Sequence, residues 1–268
     1  MRETQKQLIT LYEFGLFAPH PILLAGCTGR DGGISESPYG TLNLGLHVED
    51  KSEAVLENRR RLADALAVEP ASFVIPRQIH QGRVTTITSV DRGRGAKAAE
   101  DAIPDTDALI TEDRDVMLAV MLADCVPVIL FDPLTPAIGV AHAGWGGTVH
   151  HIVRNTVEAM RSTFGTDPKR LLAGIGPSIG PDSYEVGTDV AEHAEAEFPD
   201  AGVVRAKGDG KFLFDLWAGN QVDLVAAGVP AGNIEVAEID TYQNVDRFFS
   251  DRRQRPTGRF FAVAMLRS

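Results

Sequence analysis

Cysteine is scarce in this chain: two in 268 residues cannot build a disulfide framework, and a reducing compartment is the natural expectation. Positive charge is also in deficit. The 26 lysines and arginines face 37 acidic residues, a formal net charge of -11, which argues against the clustered basic surface that a phosphodiester backbone demands. Nucleic acid is therefore not an expected partner. Asn58-Arg59-Arg60-Arg61 and Arg252-Arg253 are local exceptions, suited either to one small anion or to a solvated helix face. Long hydrophobic runs are missing too. The most apolar segment, Val116 to Phe131, is too short for a bilayer and contains Asp124 and Pro127, so it reads as buried strand and no membrane is expected. Near the start, Met1 to Gln7 is polar and Leu8 to Tyr12 is too short for a signal core, which makes the cytoplasm the expected location.

What is present suits an ordinary globular core: 44% of residues are apolar and 24% charged, and no Gly/Ser-rich or Pro-rich linker separates two halves. One domain over residues 1–268 is the expectation. Ile22 to Thr28 reads as a strand feeding a Gly- and Ser-rich loop. The spacing of Val55, Leu56, Leu62, Ala63 and Leu66 predicts a helix over Ser52 to Leu66, with its arginines mostly on the other side. Strands are predicted at 73–75 and 84–87, then at 107–111, 116–123, 126–131 and 137–141, the last four close enough to pair as hairpins. A helix over Thr148 to Phe164 follows, opened by Gly144 to Gly147, whose N-terminus is a plausible anion site. Further strands at 171–175, 234–239 and 260–266 and helices at 189–198 and 213–227 complete an α/β (mixed α+β) pattern. Mixed sheet layers flanked by helices fit it better than strict βαβ alternation.

Seven histidines and two cysteines make a short census of soft metal ligands. Three stand at predicted strand ends: His80 in Gln78-Ile79-His80-Gln81, Cys125 in Ala123-Asp124-Cys125-Val126, and His142 in Ala141-His142-Ala143-Gly144-Trp145. Ends of neighbouring strands converge in space, so residues far apart in sequence can share one cation. The spacing alone leaves other readings open. A lone cysteine is commonly a small buried hydrophobe, a lone histidine commonly a hydrogen-bonded filler, and no compact CxxC pattern is present. Cys125 with His142 as base would also serve a cysteine-dependent amidohydrolase.

Four segments, Gln78-Ile79-His80-Gln81, Leu122 to Pro127, Ala141 to Trp145 and Gly176-Pro177-Ser178-Ile179-Gly180, resemble those of the YfiH family, in the same order. Gly32 to Ser35, Leu42-Asn43-Leu44-Gly45, Asn58-Arg59-Arg60, Tyr184 to Gly187, Arg252-Arg253 and Thr257-Gly258-Arg259 extend the resemblance over most of the chain. It implies a zinc ion on His80, Cys125 and His142. Such an open three-ligand site activates water by lowering its pKa to about 7. It also implies phosphorolysis of adenosine, inosine, guanosine and methylthioadenosine, together with adenosine deamination. Under that reading Asp124, beside Cys125, orients or deprotonates water or serves as a structural acceptor. Arg59, Arg252, Arg253 and Arg259 offer charged donors to phosphate, and Asn43 and Gln78 offer hydrogen bonds to base or sugar. Copper is the alternative metal, from the family's older description as laccase-like polyphenol oxidases. Several coppers, however, need more donors than scattered histidines without a His-x-His pair provide. A housekeeping factor with a vestigial metal is the non-catalytic alternative. The chain departs from the family in having Gly146 where Arg usually follows Trp145, Cys27 where Ser is common, and Asp240 where Cys is frequent.

Overall fold

A computed structural model describes residues 1–268. The chain opens with β1 (Arg2–Lys6), β2 (Ile9–Glu13) and β3 (Leu23–Thr28), followed by α1 (Ser52–Leu66), β4 (Phe73–Val74) and β5 (Val84–Thr86). The middle holds β6 (Ala108–Thr111), β7 (Met117–Leu122), β8 (Val126–Asp132), β9 (Ala137–Ala143), α2 (Trp145–Val149) and α3 (Ile152–Phe164). The remainder comprises β10 (Leu172–Ile175), β11 (Glu185–Val186), α4 (Thr188–Glu197), β12 (Val204–Gly208), β13 (Lys211–Phe214), α5 (Leu216–Ala226), β14 (Ile234–Val236) and β15 (Phe260–Leu266).

Two six-stranded mixed sheets carry the fold, in the orders β1-β2-β3-β15-β7-β4 and β14-β10-β8-β9-β6-β5. Side chains alternate across a strand, so the residue pattern shows which face meets what. On β15, Phe260, Ala262 and Ala264 point into a shared core with Ile129 and Phe131 of β8 and Ile138 and Val140 of β9. The sheets therefore pack face to face. The intervening Phe261, Val263 and Met265 meet Leu62, Ala63 and Leu66 of α1 on the outer side of the first sheet. On the outer side of the second, Val128 and Leu130 meet Val153, Val157 and Met160 of α3. The result is four layers, helix, sheet, sheet, helix, and both sheets are buried on both faces. That is why β8 reads as an unbroken apolar run. Gly139 lets α3 approach: a Cβ there would lie 3.1 Å from Met160 Sδ and 3.1 Å from Thr156 Cγ2.

Several expectations change. The apolar run from Val116 to Phe131 is not a hairpin, because β7 belongs to the first sheet and β8 to the second. Ala123-Asp124-Cys125 carries the chain across, with Asp124 at φ 87. The helix expected over Thr148 to Phe164 is two, broken at His150 and His151, the latter at φ 54. The β1–β2 hairpin and the small sheet β11-β13-β12 had no counterpart in the sequence reading. Arg59 does not share the solvated face of α1; it is buried, as is Asn58. No helix is long and apolar enough to cross a membrane.

Candidate metal centre

His80, Cys125 and His142 converge so that one ligand atom from each lies within 4.8 Å of the others. His80 sits at φ 60 on the segment that links β4 in the first sheet to β5 in the second. Cys125 ends the β7–β8 crossing, and His142 is the penultimate residue of β9. One buried carboxylate organises two of the three. Asp107 Oδ1 meets His142 Nδ1 at 2.9 Å and accepts the His80 backbone N–H at 2.9 Å. Its Oδ2 accepts from the N–H groups of Gln81 at 2.9 Å and Ile79 at 3.2 Å. With Nδ1 committed to Asp107, the lone pair of His142 is left on Nε2 for the cluster. Glycine makes the room: a Cβ at Gly144 would stand 2.9 Å from both Cys125 Sγ and His80 Cδ2, and one at Gly146 would stand 2.6 Å from the His80 carbonyl oxygen. Two imidazoles and a thiol, one imidazole oriented by a carboxylate, suit a borderline-soft divalent cation.

The electrostatics agree with a thiolate. Burial pushes the Cys125 thiol up, but the charge of His142 and hydrogen bonds from His142 and His80 outweigh it and bring the pKa down to about 6. Burial opposes the charge on His142, whereas Cys125 and Asp107 favour it and carry its pKa up to about 9. The thiolate is the form that ligates a metal, and binding releases the proton held by the pair.

The cluster opens into a cavity of about 710 Å³ lined by His47, Gln78, Asp124, Trp145, Tyr184, Arg252, Arg255 and Arg259, among others. The sequence-derived candidates divide around it. Gln78 lines the wall with its amide paired to the backbone of Met121 at both ends, Nε2 to the carbonyl at 2.9 Å and Oε1 from the N–H at 2.8 Å. Asp124 is buried with both oxygens engaged, one accepting the Thr241 hydroxyl at 2.7 Å and the other the Arg252 N–H at 2.6 Å; burial raises its pKa. Arg252 lies over the Tyr184 ring, 5.0 Å from its centroid. Arg259 donates to Asp251, as does Arg255.

Three candidates stand elsewhere or are otherwise occupied. Arg59 reaches the inner wall, yet bonds to the carbonyls of Leu44, Gly95 and Ala96 use four of its five N–H groups. It is a strut between α1 and two loops. Asn43 is fully buried outside the cavity: Oδ1 accepts from the N–H groups of Gly45 and Arg259, and Nδ2 donates to Asp50. Arg253 points away from the cavity, onto the Tyr242 ring. The sequence reading gave no site role to Asp107, His47, Arg255 or Tyr184, although Tyr184 opens one of the family-like segments. His47 follows the Leu42 to Gly45 motif, and this adjacency was the one available signal. Enclosure by the cavity, with Arg259 and Arg59 nearby, lowers its pKa to about 4.

The family described as multi-copper polyphenol oxidoreductase laccase matches residues 24–267. Purine nucleoside phosphorylase YlmD of Geobacillus stearothermophilus is 38% identical over 242 residues, covering 89% of this chain and 88% of that protein. Adenosine deaminase RL5, from an unknown prokaryotic organism, is 39% identical over 218 residues, or 80% of this chain and 82% of the relative. The crystal structure of YlmD from G. stearothermophilus superposes with a TM-score of 0.94 at 35% identity, covering 99% of this chain and 98% of that one. A Bacillus licheniformis hypothetical protein, YfiH, gives 0.91 at 35% identity over 97% of both chains.

Proposed function

Because this chain belongs to the multi-copper polyphenol oxidoreductase laccase family, we propose that it is a zinc-dependent purine nucleoside enzyme, cleaving adenosine, inosine, guanosine and methylthioadenosine by phosphorolysis and deaminating adenosine. The observation that carries the reading is the opening of the His80, Cys125 and His142 cluster into a cavity of nucleoside size walled by arginine. Relatives named for both activities lend support at 38% and 39% identity.

Within that reading His80, Cys125 and His142 hold the metal, which when bound supplies Lewis acidity and activates water. Arg252, Arg255 and Arg259 offer charged donors to phosphate, while the exposed Trp145 offers a face for a base. Asp124 braces the site: it ties the crossing that carries Cys125 to the backbone of Arg252, and its raised pKa follows from that burial. Zinc suits the reading better than multi-copper oxidation, because His80, Cys125 and His142 are the one group of three or more metal-capable residues. The test is a purified-protein assay of the four nucleosides with and without phosphate, paired with metal analysis. Phosphate-dependent release of free base with about one zinc per chain is expected. Phenol oxidation with several coppers per chain and no nucleoside turnover would overturn the reading.

A further inference from the structure

His47 is the one cavity-facing imidazole outside the metal cluster, and much of the buried polar network on its side of the molecule is devoted to holding its loop. Asn43 bonds both the N–H of Gly45 at 3.0 Å and the N–H of Arg259 at 2.9 Å. Leu44 donates to the Arg259 carbonyl, and its own carbonyl accepts two bonds from Arg59. Buried Asn58 bridges Ser35 and the Asn43 carbonyl. Gly45 is pressed against Arg259, where a Cβ would lie 2.8 Å from Cγ. The loop is thus pinned from α1 and from the start of β15, and the side chain it delivers to the cavity wall is His47, exposed there.

The other histidines sharpen the contrast. His142, His150, His151 and His193 each give a ring nitrogen to a protein partner, and His20, which gives none, packs against the Phe131 ring away from the cavity. His47 gives neither nitrogen. A polar ring on the cavity wall, two residues beyond a pinned backbone and with both nitrogens open, is placed to bond what enters the cavity.

We infer that His47 is a substrate-contacting residue that donates a hydrogen bond to the purine base as it leaves during phosphorolysis. In that step a phosphate oxygen bonds the anomeric carbon of ribose while the glycosidic bond breaks. The bonding pair stays with the purine, which then takes up a proton from solvent. Negative charge grows on the base only as the bond breaks, so a donor there stabilises the transition state more than the bound nucleoside. Deamination leaves the glycosidic bond intact and makes no such demand.

The inference rests on the nucleoside reading above, and the experiment separates the two. Metal-loaded wild type, His47→Ala and His47→Gln are compared for inosine phosphorolysis and adenosine deamination, with zinc content and thermal midpoint measured on each. For His47→Ala the expected result is a loss of about 10-fold or more in kcat for phosphorolysis with KM little changed. Deamination, zinc content and melting temperature should stay near wild type, and His47→Gln should recover part of the loss through its amide N–H. Phosphorolysis in His47→Ala within about twofold of wild type would overturn the inference, as would parallel loss of both activities or of zinc. A wild type that turns over no nucleoside overturns the functional reading, and the inference with it.

Discussion

Asp107 shows how much one carboxylate can set. It orients His142 through Nδ1 and gathers three consecutive N–H groups, of Ile79, His80 and Gln81, so a single buried side chain places two of the three ligands. Asp107→Asn replaces an acceptor-only group with an amide that cannot accept all four bonds. Metal affinity should fall about 10- to 100-fold, as read by competition with a chromogenic chelator. Unchanged affinity would remove Asp107 from the site. The two cysteines allow a second test without mutation. Burial pushes the Cys27 thiol well above its ordinary range, whereas Cys125 is brought down to about 6. The thiolate is the nucleophile, so its fraction and the alkylation rate rise with pH. In metal-stripped native protein, one thiol should react, its rate climbing through about pH 6 and levelling near neutrality. Loading with zinc should protect it, and Cys27 should react only on unfolding. Two native thiols of equal rate would contradict this assignment.

Helix α1 shows both the reach and the limit of sequence periodicity. Its span, Ser52–Leu66, coincides with the expected one because a 3.6-residue stripe and a first-turn Glu53 define it. The run Asn58 to Arg61 suits either one small anion or a solvated face, and Arg59 serves neither. Val55, Arg59, Leu62 and Leu66 in fact share one helical stripe, at i, i+4, i+7 and i+11, so the spacing itself placed Arg59 inward. Periodicity likewise could not reveal the break at His150 and His151, since Val149, Ile152 and Val153 continue the stripe across it. At the site, His80, Cys125 and His142 were legible as strand-end residues of suitable chemistry. Asp107 was not, because only the pairing of β6 with β9 brings it to His142. The burial of Arg59 also changes what its removal does. Arg59→Ala strips partners from three buried carbonyls, and a loss on the order of 3 kcal/mol or more is expected in urea unfolding. Phosphorolysis and deamination should decline together. Arg59→Lys should not restore stability, since an ammonium lacks the planar fork that spans Leu44, Gly95 and Ala96. Selective loss of phosphorolysis in a fully stable Arg59→Ala protein would return this arginine to the substrate.

Expecting helices around mixed sheets was sound, but the face-to-face stacking of two sheets was not legible. Short connections favour hairpins, and an apolar run buried on both faces does not say to which sheet it belongs. The crossings that hid this stacking are the segments that build the site. His80 lies between β4 and β5, Cys125 between β7 and β8, and in each case the first strand belongs to one sheet and the second to the other. A metal held by both, and by His142 at the end of β9, therefore fastens two inter-sheet crossings to one strand. Binding to the folded state alone adds RT ln(1 + [L]/Kd), about 4 kcal/mol when free metal stands at a thousand times Kd. At roughly 2–4 °C for each kcal/mol in a chain of this size, stripping the metal should lower the melting temperature by about 8 °C or more. Hydrogen exchange should accelerate first in residues 76–83 and 123–125, while β8 and β15, buried on both faces, stay protected. Gly144→Ala offers the same test without a chelator, because its Cβ meets Cys125 Sγ and His80 Cδ2 at 2.9 Å and none of the three apolar cores. It should match the stripped wild type in melting temperature and exchange pattern and gain nothing from added zinc. If stripped and loaded wild type melt together, the metal does not fasten the crossings, and the stability of the fold rests on the sheets alone.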